Sequence, residues 1–174
     1  MIKQTKWTDR TFEFNSPAGI FPNVLERLRG TPARTEELVR FYPARIYTIK
    51  LNGSWSIQEH VGHLYDLDEL HEGRIDDFIS GKPALRAADM ENKKTHSAKH
   101  NANSMDTIMR NFRSARQHFV YRLENLDENM TTRVSQHPRL KQPMRLVDMM
   151  LFIAEHDDHH LARITQLAKE LLNK

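Results

Sequence analysis

Four long stretches of this chain repeat apolar residues every three to four positions, and none alternates apolar with polar residues between hairpin turns. A 3.6-residue period marks amphipathic helices and leaves no place for a sheet-based core, so the chain is expected to be all-α. The first helix falls at 20–42, on Phe21, Val24, Leu25, Leu28, Leu38 and Phe41, with "RGTPAR" at 29–34 interrupting or kinking it. The second spans 57–80, opened by Ser56 and Glu59 in the capping-box spacing and closed by Gly81 and Pro83. The third starts near Ser104 and ends by about residue 129; the fourth runs from Pro143, a favoured first helical residue, to Leu172. The polar run 82–103 makes a long connection between the second and third helices. The architecture that follows is an antiparallel four-helix bundle.

A length of 174 residues suits one domain. Residues 20–174 are read as the bundle domain and 1–19 as a loosely attached N-terminal extension. With 26 Lys and Arg against 23 Asp and Glu the net charge is only +3, too little for composition to argue for nucleic acid. There is no cysteine, which excludes disulfides, thiolate metal sites and a cysteine nucleophile, and suits a reducing compartment. No signal-peptide core and no membrane-length apolar run is present, so the expected location is the cytoplasm.

The fourth helix contains "AEHDDHHLARI" at 154–164, three histidines and two aspartates within five positions. With Ile153 set at zero on the helical wheel, His156 falls at about −60° and His160 at about −20°, on the apolar stripe, whereas His159 falls at about −120° and Asp158 at about +140°. Two imidazoles at i and i+4 on a buried face are either core groups satisfied by hydrogen bonds or two ligands of one ion. A metal centre needs a third ligand. On the second helix, "WSIQEHVGHLYDLDELH" offers His60 and His63, and periodicity does not choose between them; either could also be a hydrogen-bonded neighbour of the ligands. His71 lies two to three turns further along and reads as a packed or rim residue, while His96, His100, His118 and His137 read as surface residues.

These motifs, "WSxxExxxHL" at 55–64 and "HxxxH" at 156–160, with "LERLRGTPAR" at 25–34, resemble the DinB/YfiT superfamily of metal-binding four-helix bundles over roughly residues 20–172. The resemblance implies His63, His156 and His160 as the ligands of one divalent ion, with zinc or nickel favoured over iron or manganese and water in the open positions. It also implies activation of a low-molecular-weight thiol or of water for transfer to, or hydrolysis of, a small-molecule substrate, and a homodimer. Asp66 and Asp157 are candidates to orient a ligand ring or a bound water, against plain surface acids.

Other classes fit less well. A ferritin-like di-iron bundle needs Glu-x-x-His on two helices, and neither "HVGH" nor "HDDHH" has a Glu three residues before a histidine. Arg110, Arg113, Arg116 and Arg122, interleaved with Phe112, Phe119 and Tyr121, raise the question of nucleic acid; the bland reading, a solvated basic face over core aromatics, is preferred. A bundle in which the ion only fastens two helices, without catalysis, remains the alternative function.

Overall fold

A computed structural model describes residues 2–173; the terminal Met1 and Lys174, included in the domain limits expected from sequence, lie outside the described residues. The expected first helix is two, α1 (Phe21–Arg29) and α2 (Thr31–Arg40), broken at Gly30 where "RGTPAR" places a proline in the first turn of α2. Helix α3 (Ile57–Ile79) opens on the expected capping box: Ser56 accepts from the Glu59 amide and Glu59 accepts from the Ser56 amide. A one-turn helix, α4 (Lys93–Ser97), interrupts the connection, and α5 (Met105–Glu124) and α6 (Leu146–Leu172) complete the bundle.

Two boundaries differ from expectation. Helix α5 stops at Glu124, because the Asn125 side chain turns back onto the Tyr121 carbonyl at 2.8 Å. Helix α6 begins at Leu146 and not at Pro143, because β2 (Pro143–Arg145) pairs antiparallel with β1 (Val134–Gln136) and the Asp148 side chain accepts from the Arg145 amide at 3.0 Å. Strands of three residues are too short to show alternation, so this hairpin left no periodic signal.

Pairings between helices give their directions. His60 and His63 of α3 meet His160 and His156 of α6, an antiparallel pair. Arg29 meets Glu124 and Glu36 meets Arg113, so α1 and α2 run antiparallel to α5. Helices α3 and α5 instead run parallel: Asp68 meets Arg116, Glu72 meets His118 and Asp76 meets Arg122. Parallel neighbours need a connection that returns the whole length of the helix, which explains why residues 80–104 are so long a link.

Two apolar clusters fill the interior. One joins Val24, Leu25 and Leu28 to Ile75, Phe78, Phe119, Leu123, Met149 and Ile153; the other joins Val39, Ile57, Val61 and Leu64 to Ile108, Phe112, Ile164 and Leu167. Between them lies a charged layer. Arg116, expected on a solvated face, is 1% exposed and bridges Asp68 at 2.9 Å and Asp157 at 2.5 Å. Thr31 donates to Asp157 at 2.8 Å, and Phe112 and Phe119 flank the guanidinium. Of the remaining arginines of that face, Arg113 pairs with Glu36 and Arg122 with Asp76, while Arg110 is exposed and donates to Thr107.

Residues 2–19 are not loosely held. Trp7 and Phe12 pack their rings on Phe152 at 4.9 Å, and Arg10 pairs with Glu155 at 2.7 Å, so this segment covers one face of α6. Its aromatic residues have no helical period, and burial against another element cannot be read from them alone. Among the described residues no helix is long and apolar enough to cross a membrane.

The connection is seated on α3 through two notches. A Cβ at Gly62 would lie 2.3 Å from the His100 ring, and one at Gly73 would lie 1.9 Å from the Arg86 guanidinium. Arg86 in turn binds Asp77 through both its side chain and its amide. Burial alone would push the Asp77 carboxyl up, but Arg86 and Lys82 hold it down at about 2. Its contribution to stability is therefore fully present above the unfolded value near pH 4 and is lost as pH falls toward about 2, worth on the order of 2 kcal/mol. Urea unfolding of the native chain and Asp77→Asn should show a gap that is constant from pH 5 to 7 and closes below pH 4; a gap unchanged at pH 2.5 would contradict this.

Candidate metal centre

The α3–α6 seam carries the histidines. Antiparallel packing sets the i, i+3 pair His60 and His63 against the i, i+4 pair His156 and His160, and all four rings are less than a tenth exposed. Ring nitrogens of His63, His156 and His160 lie within 4.8 Å of one another. The Nε2 atoms of His156 and His160 are 3.1 Å apart. His160 uses its other nitrogen, Nδ1, against Nδ1 of His60 at 2.9 Å, and His63 uses Nδ1 against Thr95 Oγ1 of α4 at 3.1 Å. Among the described residues His156 Nδ1 is buried without a partner.

The rings are held neutral. Burial lowers His60 to about 3, with Arg163 and His63 adding to the effect, and lowers His63 to about 4 against an opposing pull from Asp66. Burial, then the neighbouring imidazoles, push His156 and His160 well below the ordinary histidine value. Each ring can therefore present a lone pair at neutral pH. Two indoles close the surroundings: Trp55 lies 4.6 Å from the His63 ring and stacks over His160 at 6.2 Å, and Trp7 meets His156 edge-on at 4.8 Å.

Other expectations fare differently. His159 is half-buried against Trp7, outside the cluster, in keeping with its wheel position. His71 is a packed residue beside Asp68 and Phe119. His96 and His118 are exposed, as expected, whereas His100 and His137, expected at the surface, are 4% and 2% exposed. Both belong to connecting segments whose burial depends on what they dock against, which no local pattern records. Neither candidate acid is a surface acid. Asp66 accepts from His100 Nε2 at 2.8 Å, and Asp157 is committed to Arg116 and Thr31. Sequence reasoning missed Thr95, a residue type too common in connections to stand out.

A four-helix bundle with three neutral, convergent imidazoles on two antiparallel helices defines a class of compact bundles built around one polar seam. The chain belongs to the DinB superfamily, whose family model matches residues 27–164. It is also similar in structure to YfiT from Bacillus subtilis, described as "a probable metal-dependent hydrolase with an unusual four-helix bundle topology". That likeness covers 93% of each chain at a TM-score of 0.74 and 19% identity, and shows the shared fold. No curated protein matches the chain.

The donor set suits a divalent ion. Two imidazole nitrogens each about 2.0–2.1 Å from one ion stand roughly 3 Å apart. His156 and His160 already have that spacing, and each neutral ring carries one lone pair that it can turn to an ion.

Proposed function

We propose that His63, His156 and His160 hold one divalent ion, zinc or nickel, and that the protein uses it to activate a small thiol or water against a small-molecule substrate. The observation that carries this reading is the convergence of three buried, neutral imidazoles within 4.8 Å. When bound, the ion supplies a Lewis acid that lowers the pKa of a thiol or water and so yields a nucleophile at neutral pH.

The chain's own groups complete the site. His60 contacts His160 through Nδ1, on the ring edge that diverges from Nε2, so it orients His160 and does not share the ion. Thr95 does the same for His63, fixing Nδ1 as the hydrogen-bonded edge and leaving Nε2 for the ion. Trp7 and Trp55 exclude water from two sides and confine a ligand to the remaining approach. With no cysteine in the chain, a thiol nucleophile would have to diffuse in.

Cobalt substitution tests the reading. The cobalt-loaded chain should show a d–d spectrum that shifts when a small thiol is added, because three protein ligands leave an open position. Stoichiometric cobalt whose spectrum ignores thiols and small anions would favour an ion that only fastens α3 to α6. Failure to bind cobalt, zinc or nickel at all would refute the metal centre. Chelation should lower the melting temperature while leaving helical circular dichroism at room temperature near its starting value, since both apolar clusters persist without the ion.

A further inference from the structure

Beside the hairpin, where α3 ends against β1, three basic side chains collect with no acid in direct contact among the described residues. Arg74 on α3 is 3% exposed and donates through Nε to the Arg86 carbonyl at 3.2 Å. Leu85, next to Arg86, donates its amide to the Gln136 carbonyl, which brings Arg74 beside His137. The His137 ring and the Arg139 guanidinium both lie on Phe152, at 5.0 and 5.9 Å from its centroid. Among the described residues neither Arg74 nor Arg139 forms an ion pair within 4.0 Å. Asp77, one turn along α3, is already engaged by Arg86 and Lys82.

The hydrogen bonds of His137 fix its tautomer. Nδ1 accepts from the amides of Arg139 at 3.3 Å and Leu140 at 3.1 Å, so in the neutral ring the hydrogen must sit on Nε2. Among the described residues that Nε2 is buried with no acceptor, and so is Nη2 of Arg139. Guanidinium groups carry donors only, so these groups cannot satisfy one another. A buried donor without an acceptor is costly, and a buried cation without a counter-charge more so. What completes the cluster is an acceptor with several lone pairs and negative charge.

We propose that Arg74, His137 and Arg139 form a binding site for an oxyanion, a phosphate or carboxylate group carried by a small molecule. Burial lowers His137 to about 4, with Arg74 and Arg139 adding to the effect; Asp77 favours the charged form of Arg74 from a distance but is shared with Arg86 and Lys82. Phe152 stands one turn, about 6 Å, before His156 on α6, and Trp7 touches both rings. A ligand anchored by its anionic group here extends toward the histidines. That orientation rests on the metal reading above; the anion site itself does not.

The test uses the full chain stripped of metal, so that its outcome is independent of the histidine centre. Melting temperature is followed against inorganic phosphate, and separately against acetate, with chloride holding ionic strength constant. A saturable rise is expected, and whether phosphate alone or acetate as well produces it distinguishes the two classes of ligand. Arg139→Met, at a half-buried position, and Arg74→Met should each weaken anion binding by about 10–100-fold relative to the native chain, whereas Arg110→Met, on the exposed face of α5, should not. Absence of a saturable rise with either anion, or an equal rise in Arg139→Met, would overturn the proposal.

Discussion

Arg116→Met should unfold far more readily than any surface replacement on the same helix, losing about 3–5 kcal/mol, because it strands two carboxylates in the interior. Asp68 and Asp157 side chains are each 1% exposed, and among the described residues this guanidinium is the one Arg or Lys partner that either has. For a chain whose whole stability is on the order of 5–15 kcal/mol, that loss brings the midpoint close to ambient conditions. The triple replacement Arg116→Met, Asp68→Leu, Asp157→Leu removes all three charges together and should recover most of the deficit, since apolar groups of similar volume can replace a buried ion network. Urea unfolding of the single and triple variants decides it. A single variant within 1 kcal/mol of the native chain would mean the layer is hydrated and screened.

The second large effect is on metal. His63→Ala, His156→Ala and His160→Ala each leave two imidazoles, and each should abolish stoichiometric zinc or nickel at micromolar protein. His159→Ala and His71→Ala should retain it, because neither ring belongs to the convergent set. His60→Ala is the discriminating variant: as the partner of His160 Nδ1 it should weaken binding by about 10–100-fold without abolishing it. Loss of metal in His60→Ala with retention in His63→Ala would reverse the roles proposed for the two rings. Elemental analysis of chains purified without added metal, followed by competition with a chromogenic chelator, measures all six.

Much of this was legible in the sequence because helices and caps are local. The 3.6-residue period located four helices, the proline of "RGTPAR" located the break at Gly30, and Ser56 with Glu59 located the start of α3. The wheel set His156 and His160 apart from His159 for the same reason. Periodicity left the choice between His60 and His63 open, since residues three apart share a helix face, and only the family resemblance implied His63. Arg116 did leave a signal: it follows Phe112 by four and precedes Phe119 by three, so it sits on the apolar stripe, and only Asp68 and Asp157 from other helices explain why a charge is tolerated there. The burial of His100, His137 and Trp7 depends on connections docking onto helices, which no local pattern encodes.

The parallel course of α3 and α5 has a consequence for how the protein is made. In a bundle of successive hairpins each helix meets a partner soon after synthesis. Here α3 faces α6, which begins 67 residues after α3 ends. During synthesis the face of α3 that carries His60 and His63 waits, uncovered, for α6 to leave the ribosome. The histidine cluster is thus assembled late, and any ion it takes up would be acquired only once α6 has emerged and folded onto α3.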